Sequence, residues 1–257
     1  MIGLGFGMAQ CAARDPGPAA AANAPLRFVS DVQLSRTDPY PEAATAAIAA
    51  AIGGGVVYDA GDVSEHAWPD EYDTYLALYP QAIAVPGNHD WYAPGLEGWP
   101  WSTGVDVIDG GIHLVGSDAG IRTNQAAMAA LELSLAPAGR PTVLFLHHPL
   151  FSANARVGAA AATIRAAFLP VVEAAAVDLV IGGHGHAYER HEYGGRTFLV
   201  IGTGGAHLDT VGTAATLVTT VSVHGWLEVQ ATAAGLACTF KAADGSTVDA
   251  FTVQTAA

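Results

Sequence analysis

The sequence is short of basic residues: 10 Lys and Arg stand against 24 Asp and Glu in 257 residues, for a formal net charge of −14. A field of that sign repels phosphate backbones and anionic lipid head groups, which excludes long nucleic acids as expected partners. Charge of either sign is scarce, at 13%, while an apolar share of 51% excludes disorder as the main theme. Cysteine is nearly absent. Cys11 and Cys238 can form at most one disulfide and cannot build a cysteine-based zinc site. There is no internal repeat and no charge run, and no stretch after the first segment has the uninterrupted apolar length of a membrane span. Alanine is plentiful, which is a compositional bias. Histidine is also plentiful: ten residues, as many as all Lys and Arg together, direct attention to metal sites.

The length suits one sizeable α/β domain. Met1 to Ala13 is small and apolar and resembles the end of a secretory signal, with Ala9, Gln10, Cys11, Ala12 and Ala13 as a small-residue cleavage region but no basic leading segment. An unstructured alanine-rich start is the plainer alternative. Residues 15–25, rich in Pro and Ala, read as a linker. The division expected is therefore a signal-like segment and linker over 1–25 and one domain over 26–257, in an exported protein, periplasmic or extracellular.

After Pro25, short apolar runs alternate with alanine-rich helical stretches. Strands are expected at Leu26–Ser30, Val56–Ala60, Ala82–Val85, Val105–Asp109, Ile112–Gly116, Thr142–Leu146 and Val177–Ile181. Helices are expected at Pro41–Ile52, Asp70–Leu78, Asn124–Leu135 and Ala160–Ala175, giving an α/β layered architecture. The tail changes character. From Glu189 onward, strands are joined by Gly-rich turns, with hairpin signals at Gly194–Gly195 and Asp244–Gly245, and a largely antiparallel second half is expected to complete or add a second sheet.

The chemistry lies after the strands. Five apolar runs each end in oxygen- or nitrogen-bearing residues: Asp31; Asp62; Asn88 with His89 and Asp90; His147 with His148; and His184 with His186. In α/β sheets the C-terminal edge is where ligands bind, so neighbouring strands of one sheet would converge these side chains on one crevice. A lone His after a strand is ordinarily a half-buried structural residue, but five such sites in order are not. Asp and Asn oxygens with His nitrogens suit Zn, Mn, Fe or Co. One carboxylate can bridge two ions, and two ions about 3.5–4 Å apart can clamp a phosphoryl group and generate hydroxide near neutral pH. Gly61, Gly87, Gly183 and Gly185 are expected to supply tight turns or positive φ beside the ligands.

These motifs together resemble the calcineurin-like metallophosphoesterases, and more narrowly their purple acid phosphatase branch. The resemblance runs from Leu26 to about Val253. It is carried by Asp31-Val32-Gln33, Gly61-Asp62-Val63, Gly87-Asn88-His89-Asp90, Leu144-Phe145-Leu146-His147 and Gly183-His184-Gly185-His186. The Tyr188-Glu189-Arg190 ending and the later Gly202-Thr203-Gly204-Gly205 favour the acid phosphatase branch. The resemblance implies an α/β four-layer sandwich, two mixed β-sheets flanked by helices, forming one metallophosphoesterase domain. It implies two divalent or trivalent transition metal ions (Fe, Zn or Mn). Asp62 would bridge them, Asp31 and His186 would hold the first, and Asn88, His147 and His184 the second. His89 would contact the phosphate or protonate the leaving oxygen, with Asn88 beside it. The implied function is hydrolysis of small phosphate monoesters by a metal-bound hydroxide. A phosphodiesterase on the same scaffold and a degenerate, non-catalytic metal- or phosphate-binding protein are the alternatives.

Two departures stand out. The superfamily commonly has His two residues after the first Asp, where this chain has Gln33. The acid phosphatase branch supplies Tyr in a Gly-Asp-x-x-Tyr motif, where this chain has Glu65. Gln33, Glu65 or water would then complete the first metal site, and iron would not give the branch's purple colour, which arises from that Tyr. Arg156, in a chain with few cations, is a candidate phosphate clamp, with a solvated loop arginine as the plainer reading. Asp90 either orients His89 or caps the next turn. His66 and His207 could support the site, although structural roles are commoner. His148 braces its loop, and His113, His191 and His224 read as structural. Trp91, Trp99 and Trp101 either wall the site or anchor a long loop.

Overall fold

Alternation along the central strands decides the layering. In β1 (Leu26–Val29), Phe28 joins one buried cluster and its neighbour Val29 another. In β6 (Thr142–Leu146), Val143 and Phe145 join the first cluster while Leu144 and Leu146 join a third. Strands buried on both faces belong between layers. The computed structural model describes residues 24–90, 104–117, 131, 134, 135 and 139–255. The signal-like segment, Cys11, the three loop tryptophans and most of the expected helix Asn124–Leu135 lie outside these residues.

The remaining elements are α1 (Tyr40–Ile52), β2 (Val57–Asp59), α2 (Pro69–Leu78), β3 (Ala82–Ala84), β4 (Gly104–Asp109), β5 (Ile112–Ser117) and α3 (Gly158–Ala174). They are followed by β7 (Leu179–Gly182), β8 (Tyr188–Tyr193), β9 (Arg196–Ile201), β10 (Leu217–Val221), β11 (Gly225–Thr232), β12 (Gly235–Ala242) and β13 (Thr247–Val253). Among the described residues the strands form a six-stranded sheet, β13-β12-β11-β1-β2-β3, and a seven-stranded sheet, β10-β8-β9-β7-β6-β5-β4. Both are mixed: the seven-stranded sheet has its parallel pairs at the centre and antiparallel pairs toward the edges, whereas in the six-stranded sheet the parallel pairs β1-β2 and β2-β3 lie at one edge and the rest is antiparallel.

The first cluster, with Phe28, Tyr58, Phe145, Ile181, Leu227 and Phe240, draws on both sheets and fills the space between them. On the outer face of the six-stranded sheet, Val29 and Val57 pack with Ile48 and Ile52 of α1 and with Tyr72 and Tyr75 of α2. On the outer face of the other sheet, Leu144, Val180 and Phe198 pack with Ile164, Phe168 and Val172 of α3. The result is the four-layer sandwich. The helices follow local rules: Pro41 sits in the first turn of α1, and Gly53 closes it in the left-handed conformation at φ 73°.

One expectation is corrected here and one is narrowed. The five ligand-bearing strands are not neighbours in one sheet: β1, β2 and β3 adjoin in one and β6 and β7 in the other. The loops still meet because the sheets pack face to face with these C-terminal edges together. Of the two expectations for the tail, completing a sheet and adding one, the first holds. Strands β8 to β10 extend the seven-stranded sheet, and β11 to β13 return to flank β1, with Phe28 opposite Leu227. The hairpin at Gly194 and Gly195 has both residues at positive φ, as its turn requires.

Candidate metal centre

Backbone strain concentrates where the ligand types sit. Six non-glycine residues among those described have positive φ, and four are Asp31, Gln33, Asp62 and His184. Such residues cost about 1–3 kcal/mol each and persist where the surroundings over-determine them. The sequence placed positive φ on the glycines. Of the four it named, Gly61 adopts it, and the others instead give clearance. A side chain at Gly183 would collide with Ser30 Oγ and Asp31 Oδ2.

Hydrogen bonds fix each side chain. Asp31 is fully buried, and its Oδ2 accepts from Ser30 Oγ at 2.7 Å and from the His184 N–H at 2.8 Å. Its Oδ1 has no hydrogen bond and lies 3.4 Å from His186 Nε2. Asp62 Oδ1 accepts the His89 N–H at 2.8 Å, and its Oδ2 lies 3.2 Å from His147 Nε2 and 3.5 Å from Gln33 Nε2. His147 gives its Nδ1 proton to the Ala60 carbonyl at 3.1 Å, and His186 gives its own to the His207 carbonyl at 2.9 Å. Both rings thereby present Nε2 as the free ligand atom, the usual arrangement of metal-binding imidazoles. Asn88 Oδ1 lies 3.0 Å from His147 Nε2. Asp62, His147 and His184 each offer a ligand atom within 4.8 Å of the others.

The electrostatics agree with a cation-binding role. Burial opposes ionisation of Asp31, but the close approach of the His186 ring and the charges of His147 and His186 outweigh it and hold the carboxyl well below the usual range. Burial opposes protonation of His147 as well, yet Asp62, Asp31 and Asp90 push it up to about 9. With Nδ1 on a carbonyl, His147 Nε2 faces two oxygens, an array that needs a proton or a cation to hold it together. His184 is pushed down to about 4 by burial and by the charge of His147, leaving a neutral imidazole suited to metal. The donor set thus fits transition metals: an orphaned carboxylate oxygen, three imidazoles and a shared carboxylate.

Several assignments sharpen. Asp90 does not orient His89. Its carboxylate accepts backbone N–H groups from Asp62, Val63, Ser64 and Gly87, capping the loop that carries Asp62. Burial and the Asp62 charge push its pKa up to about 6. His89 instead donates from Nδ1 to the Glu65 carbonyl at 2.9 Å, and the Glu65 carboxylate lies 3.6 Å from the same nitrogen. The structure therefore brings Glu65 to His89 and Gln33 to Asp62. The His207 side chain faces outward, stacked on Tyr40 and paired with Asp38, and it is the backbone carbonyl of His207 that supports His186. His66 bonds to Glu71 and stacks on Trp68. The His148 ring packs on that of His184, with centroids 4.3 Å apart. In the Tyr-Glu-Arg run, Tyr188 and Arg190 bind Asp249, and the fully buried Glu189 holds Ser152, Ala153 and His191. Arg156 lies beside the centre, on the His184 carbonyl, with its guanidinium on Asp209. Sequence reasoning missed Asp209, which belongs to no motif. It follows the Gly202–Gly205 run by four residues, and that is its only signal.

The fold and this centre define a metallophosphoesterase-type sandwich. The model of the calcineurin-like phosphoesterase superfamily domain matches residues 28–222, and the chain belongs to that superfamily. No curated protein matches the chain. Among solved structures, a purple acid phosphatase from yellow lupin (Lupinus luteus) seeds aligns over 93% of the chain at 15% identity with a TM-score of 0.74, and the chain spans 55% of that protein. The GAP50 anchor of the Plasmodium inner membrane complex aligns over 91% of this chain and 90% of its own at 14% identity, with a TM-score of 0.71. A dimetal phosphatase from Danio rerio gives 12% identity over 91% and 99% of the two chains, with a TM-score of 0.66. At such identities the likeness is one of fold. No helix among the described residues is long and apolar enough to cross a membrane.

Proposed function

We propose that the protein hydrolyses small phosphate monoesters at a dinuclear metal centre. The observation that carries this reading is that Asp62, His147 and His184 offer ligand atoms within 4.8 Å of one another, while Asp31, whose charge acts on Asp62, lies 3.4 Å from His186 Nε2. Asp31 and His186 would hold the first ion, Asn88, His147 and His184 the second, with Asp62 shared and Gln33 beside the first. Bound ions would supply charge to screen the phosphoryl oxygens and lower the pKa of a water. The residues do the rest. Water adds to phosphorus and releases a proton to solvent, the P–O bond to the leaving group breaks, and His89, acting in its doubly protonated form, transfers the Nε2 proton to the departing oxygen. That nitrogen is the one available, because Nδ1 is committed to the Glu65 carbonyl. Arg156 contacts the phosphate from the rim.

The test is phosphate release from a monoester and from a diester after reconstitution with Mn, Zn or Fe, with the metal content of each sample measured. Two ions per chain and faster monoester cleavage support the reading. Diester preference moves it to a phosphodiesterase, and unchanged hydrolysis in Asp62→Asn removes it. A second reading is a non-catalytic binding protein. It is favoured by Gln33, which presents an amide nitrogen to Asp62 where a ligand is expected, and by a related fold described as an anchor. One ion or none after reconstitution would bring it forward.

A further inference from the structure

The carboxylate of Asp209 ties three loops of the centre together. Its Oδ2 accepts from Asn154 Nδ2 at 2.7 Å, from Arg156 Nε at 3.1 Å and Nη2 at 2.6 Å, and from the backbone N–H of His186 at 3.1 Å. The Asp209 N–H in turn donates to the His186 carbonyl at 2.8 Å. The second Nη2 proton of Arg156 runs to the His184 carbonyl at 3.0 Å. Three of the five N–H bonds of this guanidinium are thereby used, and Nη1 makes no hydrogen bond among the described residues.

Stability alone does not explain the arrangement. The Arg156 side chain is 47% exposed, and ion pairs this exposed contribute little to folding. Yet Asn154, only 3% exposed, commits its amide to the same oxygen. An arginine held along one edge loses less freedom when its other edge meets an anion.

We propose that Asp209 is a positioning residue that clamps Arg156 against the loop carrying His184 and His186, so that Nη1 is held ready for a phosphoryl oxygen. This rests on the phosphate-ester reading above. It makes Asp209 and Arg156 one unit in substrate binding, although Asp209 itself touches no substrate.

The experiment is a double-mutant cycle on the Mn-loaded chain, with inorganic phosphate as the probe in calorimetry and a phosphate monoester in steady-state kinetics. Arg156→Ala and Asp209→Ala should each weaken phosphate binding about tenfold, the scale of one lost charge-assisted hydrogen bond. The double variant should be no weaker than the weaker single one. KM should rise more than kcat falls, and Mn content should stay as in the unmodified chain. Asp209→Asn, which keeps an acceptor for the His186 N–H, covers the case in which Asp209→Ala fails to fold, and it should also weaken phosphate binding. Additive effects, unchanged or tighter phosphate binding in the Asp209 variants, or loss of Mn in place of loss of phosphate affinity would each overturn the proposal while leaving the phosphoesterase reading intact. An unmodified, Mn-loaded chain that neither binds phosphate nor cleaves esters would overturn both.

Discussion

Asp90 Oδ2 accepts the backbone N–H of Asp62 at 2.7 Å. The carboxylate that the third motif delivers therefore shapes the loop of the second, and it holds Asp62 at a φ of 59°. Replacing Asp90 with Ala strands several buried amides at once. Asp90→Ala is expected to lose about 3 kcal/mol or more of stability, since each unsatisfied buried group costs roughly 1–3 kcal/mol. Metal affinity should fall with it. Urea unfolding and metal titration check both, and a variant as stable as the unmodified chain would contradict this role.

His89 should separate chemistry from binding. His89→Asn is expected to lower kcat for an alkyl phosphate by about 10²–10⁴-fold, the usual range for a general acid. An aryl phosphate with a good leaving group should lose less, and metal stoichiometry should not change. Equal losses on both substrates would place the function of His89 elsewhere.

On the dinuclear reading, Gln33 would stand beside the more weakly held of the two ions. Its Nε2 stands 3.5 Å from Asp62 Oδ2, and an imidazole there would add a ligand. Gln33→His is expected to tighten the more weakly held Mn by about tenfold or more, since even supporting contacts to metal ligands are worth 10–100-fold. Calorimetric titration of Mn into the two chains reads this directly.

Iron should leave the protein without a strong visible charge-transfer band, because Glu65 occupies the position of the branch's tyrosine and its carboxylate lies beside His89. The absorption spectrum of the iron-reconstituted chain decides the point.

Asp59 gives a prediction in pH. It is fully buried, with Tyr75 Oη donating to it at 2.8 Å and the Gly61 N–H at 2.8 Å. Burial first, and then the charges of Asp90 and Asp31, hold its pKa well above the ordinary 3.8, against the lowering effect of its hydrogen bonds. A carboxyl raised on folding binds its proton more tightly in the native state. Its contribution is complete below the unfolded value and is lost as pH rises through the folded one. Asp59→Asn keeps the shape and removes the titration, so the variant should gain stability relative to the unmodified chain as pH rises from about 4 upward. Melting temperatures of the two chains across pH test this, and a constant difference would refute it.

Much of the site was legible because its chemistry is local. Each ligand type follows an apolar run by one or a few residues, and the strands themselves were found to within two residues, Thr142–Leu146 without error. What escaped was non-local. The partition of β1 to β3 and β6 to β7 between two sheets, and the return of β11 to β1, depend on pairings across nearly the whole chain that no periodicity encodes. The role of Asp90 and the existence of Asp209 as a hub escaped for a related reason. Bonds from a side chain to a distant backbone amide leave no pattern in sequence. Positive φ at Asp31, Asp62 and His184 was also hidden, because the rule of thumb assigns it to glycine and the site overrides the rule.

The pairing of β1 with β11 has a consequence for how the molecule comes into being. Every residue of the metal centre, from Asp31 to His186, precedes β11 in the chain. When the ribosome has released all of them, β1 still lacks one of its two neighbours. Asp31 follows that strand, whose Phe28 lies opposite Leu227, one of the later residues to be synthesised. The centre is encoded early and the sheet beneath it is closed late, so a chain ending before Gly225 is expected to bind Mn more weakly than the whole chain, and calorimetric titration of the two would check this.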